Sequence, residues 1–170
     1  MSFSDTEQFS GKQVSQWQVG KPLPDSSNAV KLAINPYEDD TPFTDYFQKF
    51  TELKGLESVD SLVLGSWGEA YEESSELPIK LLVQNSALFP ALTSLFIGDL
   101  AGEEAEVSWI QQSDISSVYQ AFPKLEILKI RGAEGLSLGT LSHPRINTLI
   151  IESAARWRGI ANPPVFSLIE

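Results

Sequence analysis

Apolar residues recur along the middle of the chain at one spacing, Φ-x-x-Φ-x-Φ, where Φ is an apolar residue. The spacing occurs four times, in VDSLVL, LTSLFI, LEILKI and INTLII, at intervals of 33, 33 and 21 residues. Internal repetition of this kind is typical of a repeat architecture. The last two apolar residues of each copy are two positions apart, which places their side chains on one face of a β-strand. The sequence therefore predicts four similar short strands.

The segments between these copies predict helices. TPFTDYFQKFTEL places Phe43, Phe47 and Phe50 on one helical face behind Pro42. SELPIKLLVQNSALF and SDISSVYQAF also carry apolar residues at helical intervals, each after a residue that can cap a helix. GAEGLSLGTLSHP is too glycine-rich for a good helix and predicts extended chain or one 3₁₀ turn. Alternating helices and strands predict a parallel sheet with crossover helices.

A chain of 170 residues, of which 42% are hydrophobic, fits one domain. Two strand-like runs, VSQWQV and NAVKLAI, precede the repeats and are separated by the turn-rich connector GKPLPDSSN. We expect them to form an N-terminal β-hairpin that caps the first repeat, because end repeats need a polar cover. The single domain, 1–170, then divides into a hairpin cap (1–35), the repeats (36–152) and an irregular tail (153–170).

The spacing, followed by a returning helix, resembles a leucine-rich repeat. Three short stretches, GSWG from Gly65, LFIGDL from Leu95 and SWIQQSD from Ser108, resemble a poorly characterised bacterial family of leucine-rich-repeat proteins. The resemblance covers most of the chain. It implies an α/β fold, a short right-handed leucine-rich-repeat solenoid with parallel strands on the concave face and helices on the convex face. The resemblance implies no established reaction.

The sequence departs from that pattern in two places. The asparagine that leucine-rich repeats usually carry after each strand is absent, and no copy of the spacing follows Glu152. The C-terminal edge of the sheet is then poorly covered, and an open strand edge invites pairing with another chain. Self-association through this edge is a hypothesis that follows.

The charge and composition of the chain limit which classes of partner and which cellular location we expect. The chain has 23 acidic and 12 basic residues, a net charge of −11, which repels phosphate backbones and anionic lipids. We therefore expect neither nucleic acid nor membrane as a partner. The N-terminus lacks a signal-peptide pattern, no apolar run is long enough to span a bilayer, and the absence of cysteine suits a reducing compartment. The expected location is the cytoplasm.

One motif nominates a catalytic serine. GLSLG matches G-x-S-x-G and points to Ser137, but a nucleophile elbow needs a strand before the serine, a helix after it, and a later acid and histidine. The single histidine, His143, lies six residues on, directly before Pro144. A glycine-rich connector and a residue at the start of a strand explain both positions. We predict no catalytic residue and a protein that is not an enzyme.

Acidic residues form three clusters, around Glu38, around Glu72 and around Glu104. None has the spacing of a calcium loop, and no phosphate-binding loop is present, so we expect solvated loops without metal or cofactor. An alternative remains: an enzyme or enzyme-associated subunit with a divalent-ion or small-ligand site in acidic loops at the strand ends, near Asp99 and Glu103.

The residues between the core positions of the strands suggest a binding surface. Val63, Phe96, Lys129 and Ile150 should form one row across the strands, beside Arg131. An apolar row with an aromatic anchor and two cations is typical of a surface that contacts an acidic partner. A terminal segment folded over the row is an equally good interpretation, because monomers seldom leave large apolar patches bare.

Two tryptophans, Trp67 and Trp109, are secondary candidates together with Asp99, although large aromatic residues more often pack under a loop than stack on a ligand. The resulting hypothesis is a non-catalytic protein–protein interaction module of unknown partner, which binds through the concave strand face. That role rests on analogy with the fold, which by itself does not fix function.

Overall fold

The structure, a computed structural model, describes residues 5–69, 71–101 and 109–153 and the backbone of 165–167. It has a mixed α/β fold in which eight strands form one sheet in sequence order, which confirms the predicted α/β class. The strands are β1 (Gln8–Phe9), β2 (Lys12–Gln16), β3 (Asn28–Leu32), β4 (Ser61–Leu64), β5 (Ser94–Ile97), β6 (Ile127–Arg131), β7 (Thr148–Glu152) and β8 (Val165–Ser167).

Strands β2 to β7 pair in parallel, and the outermost pairs, β1 with β2 and β7 with β8, are antiparallel. The four strands predicted from the repeated spacing are neighbours in register. Leu62, Leu95, Leu128 and Leu149 lie opposite one another. The predicted parallel arrangement of these four strands is confirmed.

The predicted hairpin of VSQWQV with NAVKLAI is wrong. These runs contain β2 and β3, which pair in parallel with Val14 opposite Ala29. The physical reason is Trp17, near the end of VSQWQV, because its ring leaves the sheet to pack 5.2 Å from the Tyr46 ring and 5.3 Å from the Phe50 ring. With Trp17 buried on the core side, the chain between β2 and β3 crosses that side instead of reversing in a tight turn. The hairpin is formed one element earlier, by β1 and β2.

Three helices lie between strands as predicted, although their ends differ: α1 (Phe43–Thr51), α2 (Glu76–Gln84) and α3 (Ser117–Ala121). Single 3₁₀ turns occur at Leu56–Ser58 and Ser86–Leu88. In α2 the buried residues are Pro78, Ile79 and Leu82, whereas Leu77 is exposed. The connection between β6 and β7 has no helix among its described residues, as the glycine-rich sequence predicted.

The main core lies between the helices and one face of the sheet. It contains Phe47 and Phe50 of α1 and, from β5, Leu95 and Ile97, all almost completely buried. The predicted orientation of the repeated leucines and isoleucines is therefore confirmed. A separate small cluster, Phe9, Ala29, Val63 and Phe96, lies on the opposite face of the sheet.

The C-terminal tail, predicted to be irregular from residue 153, contains β8, which pairs with β7 through Ile150 and Val165. The predicted open edge at β7 is therefore covered by a strand of the same chain. Residues 154–164 and 168–170 lie outside the described part of the structure. Within that part, no helix has the length and apolar character needed to cross a membrane.

Candidate functional site

The predicted row of residues across the strands is present. Val63 lies opposite Phe96, Phe96 opposite Lys129, and Lys129 opposite Ile150. We call the side of the sheet that carries this row the Phe96 face. Its two ends differ, because Val63 and Phe96 are completely buried whereas Lys129 and Ile150 are half-buried.

Residues from the N-terminus cover the buried end of the row. We call Asp5–Ser10 the cover segment. The Phe9 ring packs on the Phe96 ring with centroids 5.7 Å apart, and Ser10 Oγ lies 2.8 Å from Ser94 Oγ. Of the two interpretations of this face, a folded-over terminal segment therefore describes its Val63–Phe96 end.

A buried ion-pair network continues from the covered end of the row, and Asp99 is its centre. The Asp99 carboxylate is completely buried just after β5, with Oδ1 3.1 Å from Arg131 Nη1 and Oδ2 3.1 Å from Lys31 Nζ. Thr6 of the cover segment donates a hydrogen bond of 2.6 Å to Asp99 Oδ1. Asp99 is thus an internal counter-ion of Arg131 and Lys31, whereas the alternative hypothesis placed it near a divalent-ion or small-ligand site.

Glu152 extends the network to the open end of the row. Its carboxylate lies 2.8 Å from Arg131 Nε and 2.8 Å from Lys129 Nζ. Burial alone would raise the pKa of Glu152, but hydrogen bonds and charges from Lys129 and Arg131 outweigh it and hold the pKa below its usual value. Glu152 is therefore ionised at neutral pH and fixes both cations.

Lys31 on β3 closes the network on the other side. Its Nζ lies 2.8 Å from Asp5 Oδ1 of the cover segment as well as close to Asp99. Burial alone would lower the pKa of Lys31, but the two carboxylates outweigh it and raise the pKa above its usual value. A buried lysine therefore keeps its charge here because it has partners in both the sheet and the cover segment.

The two predicted cations lie beside the predicted aromatic anchor. Lys129 Nζ is 4.4 Å and Arg131 Cζ 5.2 Å from the centroid of the Phe96 ring, within the range of cation–π attraction. The sequence interpretation missed Lys31, and although it allowed for a terminal segment over the row, it did not identify residues 5–10 as that segment. Lys31 could have been assigned to this face from the strand register, since it lies opposite Val63. Nothing in the local pattern of residues 5–10 indicates which surface they contact.

The secondary candidates divide between core and surface. Trp67 is 1% exposed and donates a 2.9 Å hydrogen bond to the Glu73 carbonyl, so it packs under a loop as tryptophans commonly do. Trp109 is 55% exposed, next to residues 102–108, which lie outside the described structure. Trp67 belongs to the main core, on the other side of the sheet from the Phe96 face.

A cavity of about 310 Å³ opens at the carboxyl ends of β3 and β4. Its lining includes Asp39, Asp40, Glu69 and Glu73, which belong to two of the acidic clusters. Across the described residues, no group of three or more His, Cys, Asp or Glu side chains converges as a metal site. The third cluster, with Glu103, falls outside the described residues.

Ser137 and His143 both take part in backbone contacts that hold the connection between β6 and β7. Ser137 is exposed in the extended connection, where it bridges to Asp114. His143 Nδ1 accepts backbone N–H bonds from Arg145 and Ile146, so the proton resides on Nε2, which lies 2.9 Å from the Phe122 carbonyl oxygen. The imidazole thereby holds the turn before β7.

No protein-family model matches the sequence, and no curated protein is significantly similar to it. One solved structure is similar: the crystal structure of a protein from Bacteroides fragilis, a structural-genomics target, with 34% sequence identity and a TM-score of 0.64. The match covers 72% of this chain and 34% of that chain, so this chain spans about a third of the length of its structural relative. The likeness supports the mixed α/β fold.

Proposed function

We propose that the chain is a non-catalytic protein-binding module, built as a short leucine-rich-repeat-like solenoid, that contacts its partner through the Phe96 face. The observation that carries the proposal is the character of this face. Val63, Phe96 and Ile150 lie in register in one row across the parallel strands, and the same row contains the fixed cation Lys129, beside Arg131. Aromatic and arginine residues placed together in this way are the usual anchors of a protein interface.

The half-buried end of the row offers the direct test. Lys129 is preferable to Phe96 for this purpose, because Phe96 is completely buried and its truncation would cost stability. We expect Lys129→Gln to weaken capture of specific partners from a native cell lysate by about tenfold, since it removes a cation fixed at the interface.

Lys80→Gln is the matched control, because Lys80 is exposed on α2 and lies on the helix side of the sheet. It should retain the proteins that wild type retains, as quantified by mass spectrometry. Equal recovery by wild type and a folded Lys129→Gln variant would contradict binding through this face.

A second candidate function rests on the acidic cavity at the ends of β3 and β4. Four carboxylates around a cavity of about 310 Å³ suit a small cationic ligand in an enzyme or enzyme-associated subunit, whereas a divalent ion would have to draw these side chains together, because no three of them converge as they stand. A ligand of the native state raises the melting temperature. Calcium, magnesium, manganese and spermidine, each added at millimolar concentration, should raise it if this candidate holds, and unchanged melting with all four would count against it.

A further inference from the structure

The cover segment occupies the Phe96 face as a peptide ligand would. Three of its side chains each meet a different part of the face: Asp5 pairs with Lys31, Thr6 bonds to Asp99, and Phe9 packs on Phe96. Thr6 Oγ1 also lies 3.3 Å from Arg131 Nη2 and can accept a hydrogen bond from it. An acid, a hydroxyl and an aromatic residue thus match a cation, a carboxylate–guanidinium pair and an aromatic ring.

The charges beneath the cover segment suggest that this face is also exposed to water in another state. Lys31, Asp99 and Arg131 are at most 6% exposed. Buried ion pairs of this kind are costly, and apolar residues of similar volume usually stabilise a permanent interior as well or better. A face that alternates between a covered and an open state gives these charges a role, since they are solvated when it opens and recognise polar groups when it closes.

The contacts of the cover segment are suited to such an exchange. Phe9 belongs to the small cluster with Ala29, Val63 and Phe96, which is separate from the main core. Strand β1 is two residues long and, among the described strands, pairs with β2 alone. Releasing Asp5–Ser10 therefore breaks no pairing among the parallel strands and removes no residue from the main core.

We propose that the Phe96 face receives an extended segment of a partner protein with the chemistry of the cover segment: an acidic residue, a hydroxyl residue next to it, and an aromatic residue three positions further on. The cover segment occupies the same place when the partner is absent. This inference rests on the proposed function and specifies the partner chemistry and regulation of the same site.

A synthetic peptide with the sequence DTEQFSG, residues 5–11 of this chain, serves as the probe. The tethered cover segment competes with it at an effective concentration on the order of millimolar, so the wild-type full-length chain should bind it weakly. The full-length Phe9→Ser variant, which has lost the aromatic anchor of its own segment, should bind the peptide at least about tenfold more tightly, by NMR titration or fluorescence anisotropy.

Two altered peptides and two altered chains make the result specific. Peptides carrying Phe9→Ser or Asp5→Lys should lose binding, because each loses one of the contacts that the intact segment makes. Val19→Ser is the matched control for the chain, since Val19 is an apolar residue that is 48% exposed, and it should bind as weakly as wild type. Thr6→Val, which removes the hydroxyl at nearly constant shape, is the second opening variant and should also bind more tightly.

Hydrogen exchange of the wild-type chain gives a readout that needs no variant. The Val14 amide bonds to the Glu7 carbonyl and reports the pairing of β1, whereas the Gly65 amide bonds to the Leu32 carbonyl within the parallel sheet. We expect Val14 to exchange at least about tenfold faster than Gly65. Equal exchange would mean that the cover segment leaves only on global unfolding and would overturn the inference.

The outcomes separate this inference from the proposed function. Absence of peptide binding by folded Phe9→Ser and Thr6→Val chains overturns the partner chemistry, even if Lys129→Gln still weakens partner capture. Peptide binding combined with unchanged capture by Lys129→Gln supports the chemistry of the face and contradicts the proposed function. A wild-type dimer that Phe9→Ser dissociates overturns the inference in favour of a second copy as the occupant.

Discussion

At the residue scale, Gly65 shows how a missing side chain makes the ion-pair network possible. A Cβ at this position would lie 2.6 Å from Lys31 Cε and 2.9 Å from Ala33 Cβ. The lysine stem therefore crosses the face over Gly65 on its way to Asp99. Because Gly65, directly after β4, has no side chain, Lys31 of β3 can reach across it to Asp99 after β5.

Gly65→Ala should destabilise the protein by about 1–3 kcal/mol, because the added methyl overpacks the path of Lys31 and displaces it from Asp99. Denaturant unfolding monitored by tryptophan fluorescence measures the loss. In a Lys31→Ala background the same change should cost less, since the nearest clashing atom is gone, and a double-mutant cycle gives the coupling. Full additivity of the two changes would contradict the steric explanation.

Glu152 gives a prediction for pH. Its pKa is held low in the folded protein by Lys129 and Arg131, against the effect of burial. A lowered folded-state pKa stabilises the protein above the unfolded value, near the ordinary 4.5, and this contribution is lost as the pH falls through the folded value. We expect Glu152→Gln to lower the free energy of unfolding by about 1–3 kcal/mol at pH 7.

The difference between wild type and Glu152→Gln should shrink as the pH falls from 4.5 through the lower folded-state pKa of Glu152, because the glutamate then becomes protonated and is uncharged like glutamine. Urea unfolding at several pH values between 7 and 3 measures it. Glu57→Gln, at an exposed position in the 3₁₀ turn before β4, is the matched control and should leave the profile almost unchanged. A difference that stays constant over this pH range would contradict the assigned role of Glu152.

At the element scale, the β1–β2 turn decides how the cover segment reaches the sheet. Its two central residues, Ser10 and Gly11, have φ values of 53° and 73°, as a two-residue hairpin of this type requires. A Cβ at Gly11 would meet nothing within 4 Å, so any effect of substitution there comes from the backbone alone. The turn is therefore a clean place to measure the stability of the hairpin.

Gly11→Ala should lower the melting temperature by a few degrees, since an alanine in the left-handed region costs about 1–2 kcal/mol. Gly11→Asn is the matched comparison and should cost less, because asparagine tolerates this conformation. Differential scanning calorimetry distinguishes the two. Equal melting of both variants would indicate that the turn conformation does not contribute to stability.

The elements also show where sequence reasoning succeeds and fails. The repeated apolar spacing correctly predicted that Leu95 and Leu128 point into the core, because the alternation of side chains is a local property of a strand, and that Phe96 and Lys129 are neighbours, because matching apolar patterns set the register of two strands. It failed for β2 and β3, where burial of Trp17 against α1, a tertiary contact, decides between a hairpin and a parallel crossover. It gave no sign that Phe9 covers Phe96, for the same reason.

At the scale of the whole molecule, the two ends of the sheet face the same physical problem. The outermost strands have backbone groups on one side without a neighbouring strand among the described residues, and such edges invite pairing with another copy. At the C-terminal end the edge strand is β8, whereas the sequence had predicted β7 as the edge strand. The hypothesis of self-association therefore moves from β7 to the three residues of β8.

We expect the average mass in multi-angle light scattering to rise with protein concentration, through pairing of β8 edges. The net charge of −11 opposes contact between copies, so association should strengthen as salt increases to about 0.15 M, where the Debye length is about 8 Å. Ser167→Lys should weaken it, because a lysine on an edge strand discourages pairing. Gln84→Lys changes the net charge equally at an exposed position on α2 and should associate nearly as wild type does. A monomer mass that is independent of concentration, without added salt and at about 0.15 M salt, would contradict an edge-pairing interface and leave β8 as the cap of the sheet.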